Sequence, residues 1–227
     1  MDERGSRWST MIKELRIAFC GEGTTDSRII PLLIEKIIGE LTPIEPFDLS
    51  IAPQRWDTRL PFVDAVVQVV EQAQLSYDLV VAHVDADSRD ERQVRMRKVV
   101  PAEQAIIAQG FSSPLLIWAI PIQTVEAWLL VSADAFATAL GQSQRVRELS
   151  FPADPESIYR ANAKHLYEES VYQLLAKTRR RRREIKPALH QTSIIERTPM
   201  FELRRLSAFH RFEDRLKQVL VTRGYVA

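Results

Sequence analysis

Short apolar runs alternate with longer amphipathic stretches from Leu15 to Gly141, a rhythm that builds an α/β domain. Leu15–Cys20, Leu79–Val84 and Leu115–Ile120 are nearly unbroken apolar runs, as expected of strands covered on both faces, and Phe47–Ala52 is a weaker strand. Between them the period lengthens. Thr24 or Thr25 stands where a helix cap belongs, and the spacing then predicts a helix to Gly39, with Pro31 as a kink point. Pro61 opens a second helix in which Val63, Val66, Val67 and Val70 recur at helical intervals. A charged helix is expected from about Asp90 to Gln109, with Pro101 inside it. Four strand-then-helix units in succession imply a mostly parallel four-stranded sheet joined by right-handed crossovers.

After Gly141 the pattern turns helical throughout. Ser143–Pro155, which holds Pro152 and Pro155, reads as a linker, and Ile158–Leu175, Glu184–Ile195 and Glu202–Leu220 read as helices. Leu203, Leu206, Phe209 and Phe212 supply an apolar stripe for packing. The expected organisation is therefore an α/β domain over 14–141 and a helical basic cap over 142–227.

Charge divides at the same boundary. Residues 142–227 hold 18 Lys and Arg against 10 Asp and Glu, and the remaining 141 residues hold 13 against 20. A net charge of +1 thus conceals +8 joined to −7, an arrangement suited to handling a polyanion and also common as plain surface asymmetry. With 227 residues, 45% of them hydrophobic, the chain is long enough to bury a substantial core. The single cysteine, Cys20, excludes an internal disulfide framework and a multi-cysteine zinc site, so a reducing, cytoplasmic setting is expected. Met1–Glu14 lacks the apolar centre of a secretory signal, and no run of about 18 apolar residues predicts a membrane span.

Carboxylates stand where the predicted strands end. Glu22 follows the first apolar run, Asp85 and Asp87 the third, and Glu126 the fourth. In an open parallel sheet these strand ends line one crevice, so residues far apart in sequence can meet there. Clustered Asp and Glu favour a hard cation, Mg²⁺ or Mn²⁺, over zinc. An extended Asp-x-Asp also directs both side chains to one face. Asp26 and Thr124 stand close enough in sequence to support such a site. Each signal has a structural alternative: Glu22 as a favourable charge at a helix start, Asp85 and Asp87 as turn formers, Glu126 as an ordinary first-turn acid. For Asp-x-Asp alone the turn reading wins; with Glu22 ending another strand, metal ligation is the stronger reading. His83 reads as a hydrogen-bonded core histidine, Cys20 as a small buried hydrophobe, and Trp118 and Trp128 as packing residues. Asp90 and Glu91 are further ligands or solvated acids.

The run Arg179, Arg180, Arg181, Arg182 and Arg183, flanked by Lys177 and Lys186, cannot all face a core. Phosphate contact gives it a purpose, since arginines neutralising phosphates release counterions and bind without regard to sequence. The alternatives are an exposed basic face or a dock for an acidic protein. Arg204, Arg205, His210 and Arg211 are candidates to extend the same surface.

Gly21-Glu22-Gly23-Thr24-Thr25-Asp26 after the first strand resembles the E-G-x-T-D element of TOPRIM domains, and His83-Val84-Asp85-Ala86-Asp87 resembles their DxD element. Pro121-Ile122-Gln123-Thr124-Val125-Glu126-Ala127-Trp128 is similar to a segment of small bacterial TOPRIM-like proteins related to the OLD nucleases and linked to phage defence. The resemblance covers roughly residues 14–140. It implies a TOPRIM-like Rossmannoid domain in which Glu22 acts at the reacting phosphate, Asp85 and Asp87 coordinate Mg²⁺, and Glu126 helps to hold a second ion. The implied activity is metal-dependent phosphodiester cleavage, as a nuclease on DNA or RNA in an antiviral system, with no membrane partner. OLD-like nucleases are often fused to or paired with an ABC-type ATPase. No G-x-x-x-x-G-K-[ST] occurs here, so such an ATPase would be a separate chain. Homo-oligomerisation stays open. Haloacid-dehalogenase phosphatases and metal-dependent glycosyltransferases also use DxD, but the phosphatases place the nucleophile on the first strand and favour Thr or Val after the pair, where Ser88 follows here on the third. A strand-passage enzyme would need an added tyrosine domain. The non-enzymatic alternative is a catalytically inactive regulatory subunit that holds nucleic acid or a partner.

Overall fold

The computed structural model describes residues 13–21, 23, 26–111, 115–158, 160–176 and 178–227. The described strands are β1 (Lys13–Gly21), β2 (Phe47–Arg55), β3 (Leu79–His83) and β4 (Leu115–Ala119). They form one parallel sheet in the order β2-β1-β3-β4. The chain leaves β1 through α1 (Asp26–Gly39) to β2 on one side, then crosses back through α2 (Phe62–Ala73) to β3 on the other. The strand order therefore reverses between β1 and β3, and a crevice opens beyond the carboxyl ends of such neighbours.

Alternation along each strand assigns the two faces. Leu15, Ile17 and Phe19 of β1 pack with Leu79 and Val81 of β3 against α1, whereas Ala18, Cys20, Val80 and Ala82 pack against α2 and α4 (Val100–Ala108). Burial on both faces explains why β1 and β3 read as continuous apolar runs. Pro31 lies inside α1, and Pro61 sits at the N-cap of α2 with extended backbone, where its missing N–H costs nothing.

Three segments differ from the expected pattern. The predicted Asp90–Gln109 helix is divided into α3 (Arg92–Val94), a π-helical turn (Arg95–Val99) and α4. Its buried positions run Val94, Val99, Ala102 and Ile106. The five-residue step keeps Val99 in the core where a regular helix would have turned Lys98 inward. The predicted Glu184–Ile195 helix begins only at α8 (Gln191–Arg197): α7 (Arg179–Glu184) ends where it was expected to start, and a 3₁₀ turn at Pro187–Leu189 lies between. Glu202–Leu220 is likewise divided into α9 (Met200–Leu203) and α10 (Ser207–Thr222).

The remaining elements are a 3₁₀ helix at Val125–Leu130, α5 (Ala133–Ala139), short 3₁₀ turns at Ser143–Glu148 and Pro155–Ser157, and α6 (Arg160–Leu175). Apolar residues of α5, α6, α8, α9 and α10 join the same buried cluster as β1 and α1. Leu203, Leu206, Phe209 and Phe212 are all buried in it. The chain end closes on the sheet: Tyr225 donates its hydroxyl to the Glu14 carbonyl at 3.0 Å, and Val226 bridges Pro43. Among the described residues no helix is long and apolar enough to cross a membrane.

Candidate active site

The reversal between β1 and β3 fixes where the site begins. β1 ends at Gly21, and a Cβ there would stand 3.0 Å from the Phe19 ring and 3.1 Å from Asp26 Cβ. Glycine lets the start of α1 close onto the strand end. Asp26 uses that proximity: its Oδ2 accepts the Gly23 N–H at 2.9 Å and lies 3.2 Å from His83 Nδ1. On the other side of the ring, His83 Nε2 is 3.4 Å from Asp85 Oδ1.

His83 is 0% exposed, so its charge state matters. Burial alone would lower the imidazole pKa, but contact with Asp26 and Asp85 outweighs it and raises the pKa to about 9. The two acidic neighbours thus favour the protonated ring. Neither nitrogen makes an aligned hydrogen bond, so these are ion pairs at contact distance. The sequence reading placed His83 in the core correctly and missed that it links the start of α1 to the aspartate pair.

Past His83 the β3 and β4 loops stay joined. Val84 donates to the Ala119 carbonyl at 3.1 Å, Ala86 to Pro121 at 3.0 Å, and Gln123 to Ser88 at 3.2 Å. Asp87 (φ 52°) and Gln123 (φ 65°) adopt left-handed backbone in these loops. Such strain in non-glycine residues gathers at functional sites. Asp85 is buried and Asp87 exposed, and both line one pocket of about 170 Å³ whose other wall carries Gln93, Arg97 and Lys98. Nothing in the sequence pattern paired these basic residues with the acids.

Of the other expected residues, those that are described lie apart from this pocket. Glu22, Thr24, Thr25 and Lys177 lie outside the described residues. Glu126 is buried on the 3₁₀ helix after β4, accepts the Thr124 hydroxyl and lies beside Tyr167 of α6. It does not line the Asp85–Asp87 pocket. Among the described residues no three His, Cys, Asp or Glu side chains form a group able to hold a metal. The oxygen-only pair Asp85 and Asp87 suits a hard cation, which needs only one or two protein carboxylates when phosphate and water complete its shell.

Asp90 and Glu91 have other partners. Asp90 Oδ1 accepts the Arg92 N–H at 2.9 Å, and Glu91 is paired with Arg95 at 3.1 Å and Arg211 at 3.2 Å. Cys20 is buried, and desolvation pushes its thiol pKa up. Trp118 donates to Glu103 at 3.1 Å, and Trp128 packs edge-on against Phe209.

The arginine run forms α7. Arg180 and Arg183 are exposed, and Arg182 pairs with Glu169 while its guanidinium lies 4.4 Å from the centre of the Tyr172 ring. The turn after α7 is tied to α6 and α1: Tyr167 donates to the Pro187 carbonyl at 2.6 Å, and Arg28 of α1 donates to the Ala188 carbonyl at 3.4 Å. Arg204, Arg205 and Arg211 are matched locally, to Glu213 and Glu40, to Glu202, and to Glu91. No protein-family model matches the chain, and comparison with curated proteins and with solved structures brings no match.

Proposed function

We propose that this chain is a Mg²⁺- or Mn²⁺-dependent phosphodiesterase of the TOPRIM type, a nuclease acting on DNA or RNA. The observation that carries this reading is Asp85 beside Asp87 in one pocket at the end of β3, next to the reversal of strand order. Asp85 and Asp87 would hold the ion, with Glu22 joining from the end of β1 and Glu126 serving a second ion. A cation held there polarises a phosphodiester and lowers the pKa of a bound water. His83 fixes the buried Asp85 carboxylate from behind and balances its charge before substrate arrives. The exposed guanidinium groups of Arg180 and Arg183 would take the nucleic-acid backbone without sequence preference. As an anti-phage effector the chain would answer to a separate ABC-type ATPase, which predicts weak activity in isolation.

One contact favours a second reading. Asp85 Oδ1 already faces His83 Nε2 at 3.4 Å, a partner that competes with a metal for the same oxygen. A subunit that kept the fold and lost turnover, binding nucleic acid or a partner, would keep that ion pair. The deciding experiment incubates the chain with labelled plasmid, single-stranded DNA and total RNA in Mg²⁺ or Mn²⁺, and compares Asp85→Ala. Cleavage that needs metal and vanishes in the variant supports the enzyme. Equal binding by both proteins without even weak metal-dependent cleavage supports the regulatory subunit.

A further inference from the structure

The Asp85–Asp87 pocket has a basic wall that the expected ligand set does not use. Gln93, Val94, Arg97 and Lys98, from α3 and the π-helical turn, line it together with the two aspartates. The turn makes this possible. By moving the buried position to Val99 it leaves Lys98 half-buried, its stem against the domain and its ammonium 5.1 Å from the centre of the Phe62 ring. Arg97 is exposed. A regular helix would have buried a lysine here or lost a core valine.

The charges lining the pocket are two carboxylates, Asp85 and Asp87, and two cations, Arg97 and Lys98. Such a lining attracts neither a lone cation nor a lone anion by net charge. It suits the two together, the cation toward the aspartates and the anion toward the guanidinium and ammonium groups. A volume of about 170 Å³ leaves room for a phosphate group, an ion and a few waters.

We propose that Arg97, Lys98 and Gln93 form a phosphate-binding subsite, which takes the oxygens of a phosphodiester whose other side meets a cation on Asp85 and Asp87. This inference rests on the metal-site reading above and adds the groups that seat its substrate. The backbone phosphate enters the pocket, and the flanking sugars and bases stay outside. Arg97 offers a planar fork matched to phosphate, Lys98 a point charge, and Gln93 an amide donor. Because the lining is balanced, phosphate and cation each raise the affinity for the other, by the same factor.

The test uses the full chain with inorganic phosphate and Mn²⁺ as probes. Electron paramagnetic resonance counts bound Mn²⁺, and the ³¹P line width reports phosphate brought against it. Wild type is expected to bind Mn²⁺ and broaden the phosphate line. Arg97→Gln with Lys98→Gln keeps its Mn²⁺ while the half-saturating phosphate concentration rises roughly tenfold or more, the scale of losing a charge-assisted hydrogen bond. Asp85→Asn loses both signals. An unchanged phosphate response in the Mn²⁺-bound double variant overturns the subsite and leaves the metal site standing. Failure of wild type to bind Mn²⁺ overturns the metal site and the subsite with it. Arg97→Gln alone, at an exposed position, keeps the test sound if Lys98→Gln lowers the melting temperature.

Discussion

Replacement of Glu156 tests how the C-terminal helix is held to the rest of the molecule. Its carboxylate is buried and accepts the Ser207 N–H at 2.9 Å, the Ser207 hydroxyl at 2.7 Å and the Ala208 N–H at 3.0 Å, with Trp128 Nε1 at 3.4 Å. The acid thus caps α10 from across the chain, satisfying amides that the helix leaves open and meeting its positive end. A hydrogen bond to a charged group contributes about 1.5–3 kcal/mol, and shared bonds to one carboxylate do not add fully. Glu156→Ala strands two buried donors, the Ala208 N–H and Trp128 Nε1–H, and loses both bonds from the exposed Ser207, so its cost is about 3–5 kcal/mol. Glu156→Gln keeps one acceptor oxygen and sets an amide donor against the others, for about 1–3 kcal/mol. Urea unfolding measures both. With a slope of about 2–3 kcal/mol per molar, the alanine variant shifts the midpoint down by about 1–2.5 M. Midpoints within about 0.2 M of wild type for both variants would refute the capping argument.

Charge supplies two further predictions. Glu213 has a side chain only 1% exposed; burial raises its pKa, but Arg204 and Lys217 overcome this and hold it below its ordinary 4.5. A lowered carboxylate contributes stability above its unfolded pKa and loses it as pH falls through the folded value. Wild type should therefore lose more urea resistance than Glu213→Gln as pH falls from 5 through the acid range, and parallel losses would contradict the pairing. Neutralising Arg179–Arg183 to Gln should weaken nucleic-acid binding alike across sequences and flatten its salt dependence by about 0.9 for each phosphate no longer neutralised. Unchanged binding with loss of a protein partner would make α7 a protein dock.

The strands were legible because a strand buried on both faces writes its own run of Val, Ile, Leu and Ala, as at Leu79–His83. Their parallel pairing followed from the alternation with helices. Helix breaks were less legible: the stops at Pro187 and around Arg204–Leu206 depend on tertiary docking of short helices against the shared core. The π-helical turn did leave a trace, the five-residue step between Val94 and Val99, which a regular helical period reads straight through. Acids at strand ends suggested a candidate site through position alone. The Asp26–His83–Asp85 contacts and the Arg97–Lys98 wall had no such signal, since they join residues from different elements through the sheet's crossover. Glu126 illustrates the converse. Its place after β4 suggested the same crevice, yet its described contacts are Thr124 and the neighbourhood of Tyr167.

Carboxylates at the ends of β1 and β3 are proposed to hold a divalent cation for a phosphodiester. Anomalous scattering from crystals grown with Mn²⁺ tests this most directly. The expected result is a peak within about 2.0–2.3 Å of oxygens of Asp85 or Asp87, with Glu22 directly or through water in its shell. Occupied Mn²⁺ elsewhere in the molecule, with this pocket bare and His83 still seated on Asp85, would contradict it.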